Sequence, residues 1–187
     1  MKIINPIVTF LVASFFSLCL MTCDLGGDVD FEQGSMQKLG TFSRITETNE
    51  IGESIGAVDS DDWGCSNNLS SGKTTKGGPL LPEGFVIYAA YPNPTNGVTT
   101  IRYDLPEESH VTIKIYKSNM GSVSLVRTLA NYSTQSAGFR AIQWDGQNDN
   151  GHKVMPGIYR CVMTININEY TYFECYGDIQ IHETFRL

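Results

Sequence analysis

Thr99-Thr100-Ile101-Arg102-Tyr103-Asp104-Leu105 alternates, with Ile101, Tyr103 and Leu105 falling on one face. That period of two is the pattern of a strand with one buried side. Pro106-Glu107-Glu108-Ser109 turns the chain, and Val111, Ile113 and Ile115 then alternate with Thr112, Lys114 and Tyr116. Working outward, residues 85–91 form an apolar run ended by Pro92-Asn93-Pro94, and residues 123–129 and 139–144 are further strand-like runs. Asp145-Gly146-Gln147-Asn148-Asp149-Asn150-Gly151 has the composition of a polar hairpin loop, and Pro156-Gly157 opens the longest run, residues 158–167. Short alternating segments punctuated by turn residues predict an all-β domain. No segment carries a convincing helical period. About 100 residues of this kind can close one core between two sheets.

The wider pattern is also ordered. Tyr91-Pro92-Asn93-Pro94, Thr100-Ile101-Arg102-Tyr103-Asp104-Leu105-Pro106, Val111-Thr112-Ile113-Lys114-Ile115-Tyr116, Gly138, the 144–151 stretch beginning Trp144-Asp145-Gly146, and Pro156-Gly157-Ile158-Tyr159 follow one another. This set resembles the Ig-like domain of the flagellar hook-cap protein family. It is also similar to the C-terminal domains by which Bacteroidetes-type surface proteins are sorted through type IX secretion. The resemblance implies an Ig-like or fibronectin-like antiparallel β-sandwich. Its structural motif residues here would be Pro92, Asn93, Pro94, Trp144, Asp145, Gly146, Gly151, Gly157 and Tyr159. Each has a mechanical reading. Two prolines remove ladder donors and stop edge pairing. Trp144 fills the core at a strand end while Asp145-Gly146 turns outward. Gly157 permits a bulge or close backbone approach at the head of a strand.

The N-terminus reads as an export signal, with Lys2 as its positive end and residues 7–20 as its apolar run. Leu20-Met21-Thr22-Cys23 resembles a bacterial lipobox, which would make residues 1–22 the signal and Cys23 the lipidated first residue. A signal cut elsewhere and a retained anchor are the other readings. All three place the remainder outside the cytoplasm, in the cell envelope or on its surface. Several acyl chains at roughly 0.8 kcal/mol per buried CH₂ would hold the protein to a membrane.

The chain of 187 residues has 13 Lys plus Arg and 20 Asp plus Glu, a net charge of −7. That balance argues against nucleic acid as a partner, since an acidic surface repels phosphates. Residues 24–84 hold eleven acidic and four basic side chains, and residues 85–187 nine and eight, so the excess negative charge precedes the strand-rich part. Scattered apolar positions and the Ser/Gly/Thr/Lys run at 70–78 predict a flexible acidic tether over 23–84, ahead of a sandwich over 85–187 with an extra C-terminal hairpin. Centring that hairpin on Asn168 pairs Cys161 with Cys175, Met163 with Phe173 and Ile165 with Thr171. Outside the cytoplasm a Cys161–Cys175 cross-strand disulfide is one expectation, and two buried thiols the other. Cys65 then stands alone, as a free thiol or an intermolecular link.

Catalytic and ligand motifs fail on inspection. Ser71-Gly72-Lys73-Thr74 lacks the first glycine of a phosphate loop and any preceding strand. The 145–151 loop has its glycine one place late for a calcium loop and no bidentate Glu after it. His110, His152 and His182 are far apart, and Asp59, Asp61 and Asp62 beside Trp63 read as solvated charge. No cofactor, metal or small-molecule substrate is expected. The sequence therefore predicts a non-catalytic lipoprotein whose sandwich makes a structural or adhesive contact with an unidentified envelope or surface protein. A type IX sorting role is the alternative, and an enzyme or metal site assembled only in three dimensions the third.

Overall fold

The structure is a computed structural model that describes residues 44–59, 62–65, 81–119, 122–168 and 171–182. The signal segment, Cys23 and the 70–78 run lie outside the described residues. Among the described residues there are eight strands and no helix: β1 (Gly64–Cys65), β2 (Val86–Ile87), β3 (Thr99–Leu105), β4 (Ser109–Asn119), β5 (Ser122–Gln135), β6 (Gly138–Trp144), β7 (Gly157–Asn168) and β8 (Thr171–Ile181). They form two antiparallel sheets, one in the order β1-β8-β7-β4-β5 and the other β2-β3-β6.

The alternation read from the sequence decides what lies between the sheets. Ile101, Tyr103 and Leu105 of β3 face Val111, Ile113 and Ile115 of β4, Tyr159, Met163 and Ile165 of β7, and Phe173, Ile179 and Ile181 of β8 within one buried cluster. Trp144 ends β6 fully buried, packs edge-on to Tyr159 at 5.3 Å between ring centroids, and donates its indole N–H to the Gln147 carbonyl at 2.9 Å. The motif loop beyond it is satisfied from within and from β5, where the Arg127 guanidinium donates to the Asn148 carbonyl and the Thr128 N–H to Asp149. Asp145 accepts from the Gln147 N–H, and Asn148 Oδ1 accepts from the N–H groups of Asn150 and His152. Gly146 is left-handed at φ 67°, and a Cβ there would meet the Gly97 carbonyl oxygen at 2.9 Å.

Four expectations about the fold need correcting. The β7–β8 hairpin pairs Met163 with Cys175, Ile165 with Phe173 and Cys161 with Gly177, a two-residue slip from the register centred on Asn168. A slip of two keeps every side chain on its own face, so the hydrophobic pattern cannot tell the registers apart. A bulge between Asn166 and Asn168 sets the turn instead. The disulfide is Cys65–Cys175, and Cys161 is a free, buried thiol. Burial pushes that thiol well above the ordinary cysteine range.

The third correction concerns the expected tether. Its described part packs as a strap along the sandwich. Ile45, Thr46, Thr48 and Trp63 are buried, and Cys65 pairs directly with Cys175 at the β8 edge. Segment 85–91, expected as a continuous strand, has ladder pairing only at Val86–Ile87 and an isolated bridge from Tyr91 to Thr100. Between them the chain turns its buried Ala90 carbonyl to the Thr48 hydroxyl at 2.6 Å.

Candidate contact surface

Asn93 is the junction on which the strap, the proline motif and β8 meet. It is fully buried, between Pro92 and Pro94, and both preceding peptide bonds to proline are cis. Its side-chain amide donates to the carbonyls of Thr46 (3.1 Å) and Asp178 (2.9 Å), and its Oδ1 accepts from the Gln180 N–H (2.9 Å). Its backbone pairs with Thr48 in both directions. A buried amide needs all of these partners, and here it has them.

A second polar group lies beside it. Arg160 and Asp178, opposite each other on β7 and β8, form a buried bidentate pair at 2.7 and 2.8 Å. Burial raises the Asp178 carboxyl, and the Arg160 guanidinium opposes that rise. Asp62, read from the sequence as solvated charge, instead accepts from the N–H groups of Thr46 (3.0 Å) and Asp178 (2.6 Å). Its burial pushes the carboxyl up to about 6. Trp63 lies over Gly177, where a Cβ would come within 2.1 Å of the indole ring. These groups join segments of the chain to one another. They are structural partners.

The exposed chemistry is on the outer face of the three-stranded sheet. Strand alternation sends Val86 and Tyr88 outward from the first segment, Arg102 from β3, and Phe139 and Ala141 from β6. Phe139 is 59% exposed. Arg102 stands between two aromatic rings, its guanidinium 5.2 Å from the centroids of both Tyr88 and Tyr91. It makes no ion pair among the described residues. The Tyr88 hydroxyl donates to Asp104 at 2.5 Å, and this bond is the main reason its phenol is raised. The strap's 49–53 turn brings Gly52 against the Tyr91 ring and leaves neighbouring Ile51 exposed. Aromatic rings, an arginine and aliphatic side chains on one rigid sheet are the composition of a protein-contact surface. Sequence reasoning missed this surface because its residues lie on three separate segments and only sheet pairing aligns them.

A groove of about 400 Å³ is lined by Lys117, Leu125, Asn148, Lys153, Met155 and Tyr159 among others. Lys117 donates to the Tyr159 hydroxyl at 3.0 Å, which in turn donates to the Met155 carbonyl, so its polar groups serve one another. Among the described residues no three His, Cys, Asp or Glu side chains gather as metal ligands.

Two antiparallel sheets closed around a single core, without helices in the described part, define an Ig-like β-sandwich. Residues 93–168 match the family model of the FlgD Ig-like domain, a non-catalytic structural family. The resemblance read from the proline, Trp-Asp-Gly and Gly-x-Tyr motifs is thus confirmed over somewhat under half of the chain. No curated protein matches. Among solved structures, dimeric latent PorU from Porphyromonas gingivalis is similar at 18% identity and a TM-score of 0.42, over 60% of this chain and 10% of that one. The soluble domain of PmoD from Methylocystis sp. ATCC 49242 (Rockwell) is similar at 10% identity and a TM-score of 0.34, over 48% of this chain and 76% of that one. The chain therefore spans about a tenth of the PorU chain's length.

Proposed function

We infer that this protein is a non-catalytic, exported lipoprotein that uses its Ig-like sandwich for a structural or adhesive protein contact in the envelope or at the cell surface. The observation that carries the contact role is Arg102, held between Tyr88 and Tyr91 on an exposed face with Val86 and Phe139. Holding a guanidinium between rings lowers the side-chain entropy lost on binding, and Tyr and Arg are the residues on which contact energy concentrates. A structural disulfide supports an oxidising compartment. The Cys23 lipid anchor rests on the lipobox resemblance.

The test places a photo-crosslinking side chain at Phe139 and, as a control, at Leu125, which is also exposed. A discrete adduct from position 139 that Arg102→Glu abolishes supports the contact face. Equal adducts from both positions, or none from 139, would overturn it. Palmitate labelling that Cys23→Ser does not remove would end the lipoprotein part. The sorting-domain reading draws on the same ordered motifs, and cleavage inside the sandwich during export would favour it instead.

A further inference from the structure

The strap is attached in a way that does not depend on its belonging to the same chain. Its contacts run from residues 45–65 to residues 90–93 and 175–180. They are of four kinds: backbone pairing at Thr48–Asn93 and at Gly64–Tyr176, side-chain hydrogen bonds of Thr48, Asn93 and Asp62, an aromatic plug where Trp63 fills the space above Gly177, and the Cys65–Cys175 bond. Without the strap, β8 is an open sheet edge beside a glycine-floored hole, and an open edge invites a strand from elsewhere. Residues 66–80 lie between the strap and the sandwich, a length that can span about 50 Å when drawn out.

We propose that the strap is an exchangeable donor strand, and that its second acceptor is another copy of this chain. In the exchanged form Cys65 of each chain bonds Cys175 of the other, Trp63 plugs the other chain's Gly177 site, and reciprocal exchange leaves neither β8 edge open. The chemistry balances as thiol–disulfide exchange. A small thiolate attacks one sulfur of Cys65–Cys175, a mixed disulfide forms and the other cysteine leaves as a thiolate. The same opening on the second chain frees its counterpart thiolate, which displaces the small thiol from the first chain while the first chain's thiolate does the reverse. Two intrachain bonds thus become two interchain bonds, both small thiols are returned and there is no net oxidation. A strap on its own chain has an effective concentration on the order of millimolar, so dilute protein stays unexchanged and crowded, surface-held protein exchanges.

The experiment mixes isotopically heavy and light full-length protein in a reduced and oxidised glutathione buffer, over a range of concentrations. Mass spectrometry then reads the Cys65–Cys175 peptide. The expected result is a mixed heavy–light peptide whose share rises with protein concentration, together with a covalent dimer on non-reducing gels. Same-isotope peptide alone at the highest concentration overturns the proposal. A second arm mixes Cys65→Ser with Cys175→Ser protein, in which no intrachain bond can form. A Cys65–Cys175 link between the two variants supports exchange, and its absence in two folded variants overturns it.

Discussion

The sandwich and the strap are built on different balances of forces. Between the sheets, aliphatic and aromatic side chains from β3, β4, β7 and β8 are fully buried in one cluster, and the strands were set there by a period-two pattern in the sequence. The strap contributes Ile45 and Trp63 to burial but is held largely by polar groups: Thr48 against Asn93 and Ala90, Asp62 against Thr46 and Asp178, and one disulfide. Apolar burial is non-directional and tolerates adjustment, whereas a buried polar contact is lost outright when one partner moves. The sandwich should therefore set the global stability, and the strap should fail first and separately.

The largest effect is expected in the sandwich. Trp144→Ala removes a fully buried indole that packs on Tyr159 and bonds the Gln147 carbonyl. It should lower the unfolding free energy by about 3–5 kcal/mol, moving the sandwich transition in urea down toward that of the strap. A sandwich transition left at its wild-type position would contradict this.

Cys65→Ala comes next. The bond closes a sequence separation of 110 residues, and losing such a bond typically costs about 2–4 kcal/mol. Proteolysis should then cut within residues 44–65 while the sandwich fragment survives. Cys161 and Cys175 should stay reduced in this variant, because Cys161 faces Gly177 and lies diagonal to Cys175, roughly 7 Å or more away. A Cys161–Cys175 bond in its peptide map would show that the hairpin can slip by two residues.

Gly177→Ala should cost less, about 1–3 kcal/mol for an overpacked site. A Cβ there collides with the Trp63 ring, and the strap is the part that can give way. Trp63 fluorescence should shift to the red while Trp144 stays buried. Unchanged emission would mean that the sheet yields instead.

The same contrast explains what could be read from the sequence. Ile101-x-Tyr103-x-Leu105 and Val111-x-Ile113-x-Ile115 announce their faces locally, so the strands of the core and the motif loop at 144–151 were legible. The hairpin register was not, since slips of two leave alternation intact. Asp59, Asp61, Asp62 and Trp63 read as a solvated knot because nothing nearby in sequence could bury them. The partners that bury Asp62 and Trp63, Asp178 and Gly177, lie more than a hundred residues away. An odd cysteine at 65 beside Trp63 was the one local hint of that long-range docking. Arg102 was legible as an outward position on a strand, but its tyrosine neighbours come from a segment whose ladder breaks at Ala89–Ala90.

The smallest effect is on the pH dependence of the strap. Burial raises the Asp62 carboxyl from 3.8 to about 6, with the Asp178 and Asp59 charges adding to the rise and the Asp178 and Thr46 N–H groups opposing it. Burial raises Asp178 as well, against the pull of Arg160. The folded state thus holds the Asp62 proton more tightly than the unfolded chain does. Its contribution to stability is fully present below about 4, declines as pH rises through the interval to about 6, and is gone above it. The strap should accordingly be tighter at pH 5 than at pH 7.5, opposite to the usual acid weakening of ionised carboxylates. Hydrogen exchange at the Thr46 and Asp178 amides measures this directly, because both donate to Asp62. Asp62→Asn keeps an acceptor in place without a titrating charge, so its exchange rates should vary less with pH once intrinsic rates are divided out. An equal slope in wild type and variant would move the dependence to Asp178 and its Arg160 partner.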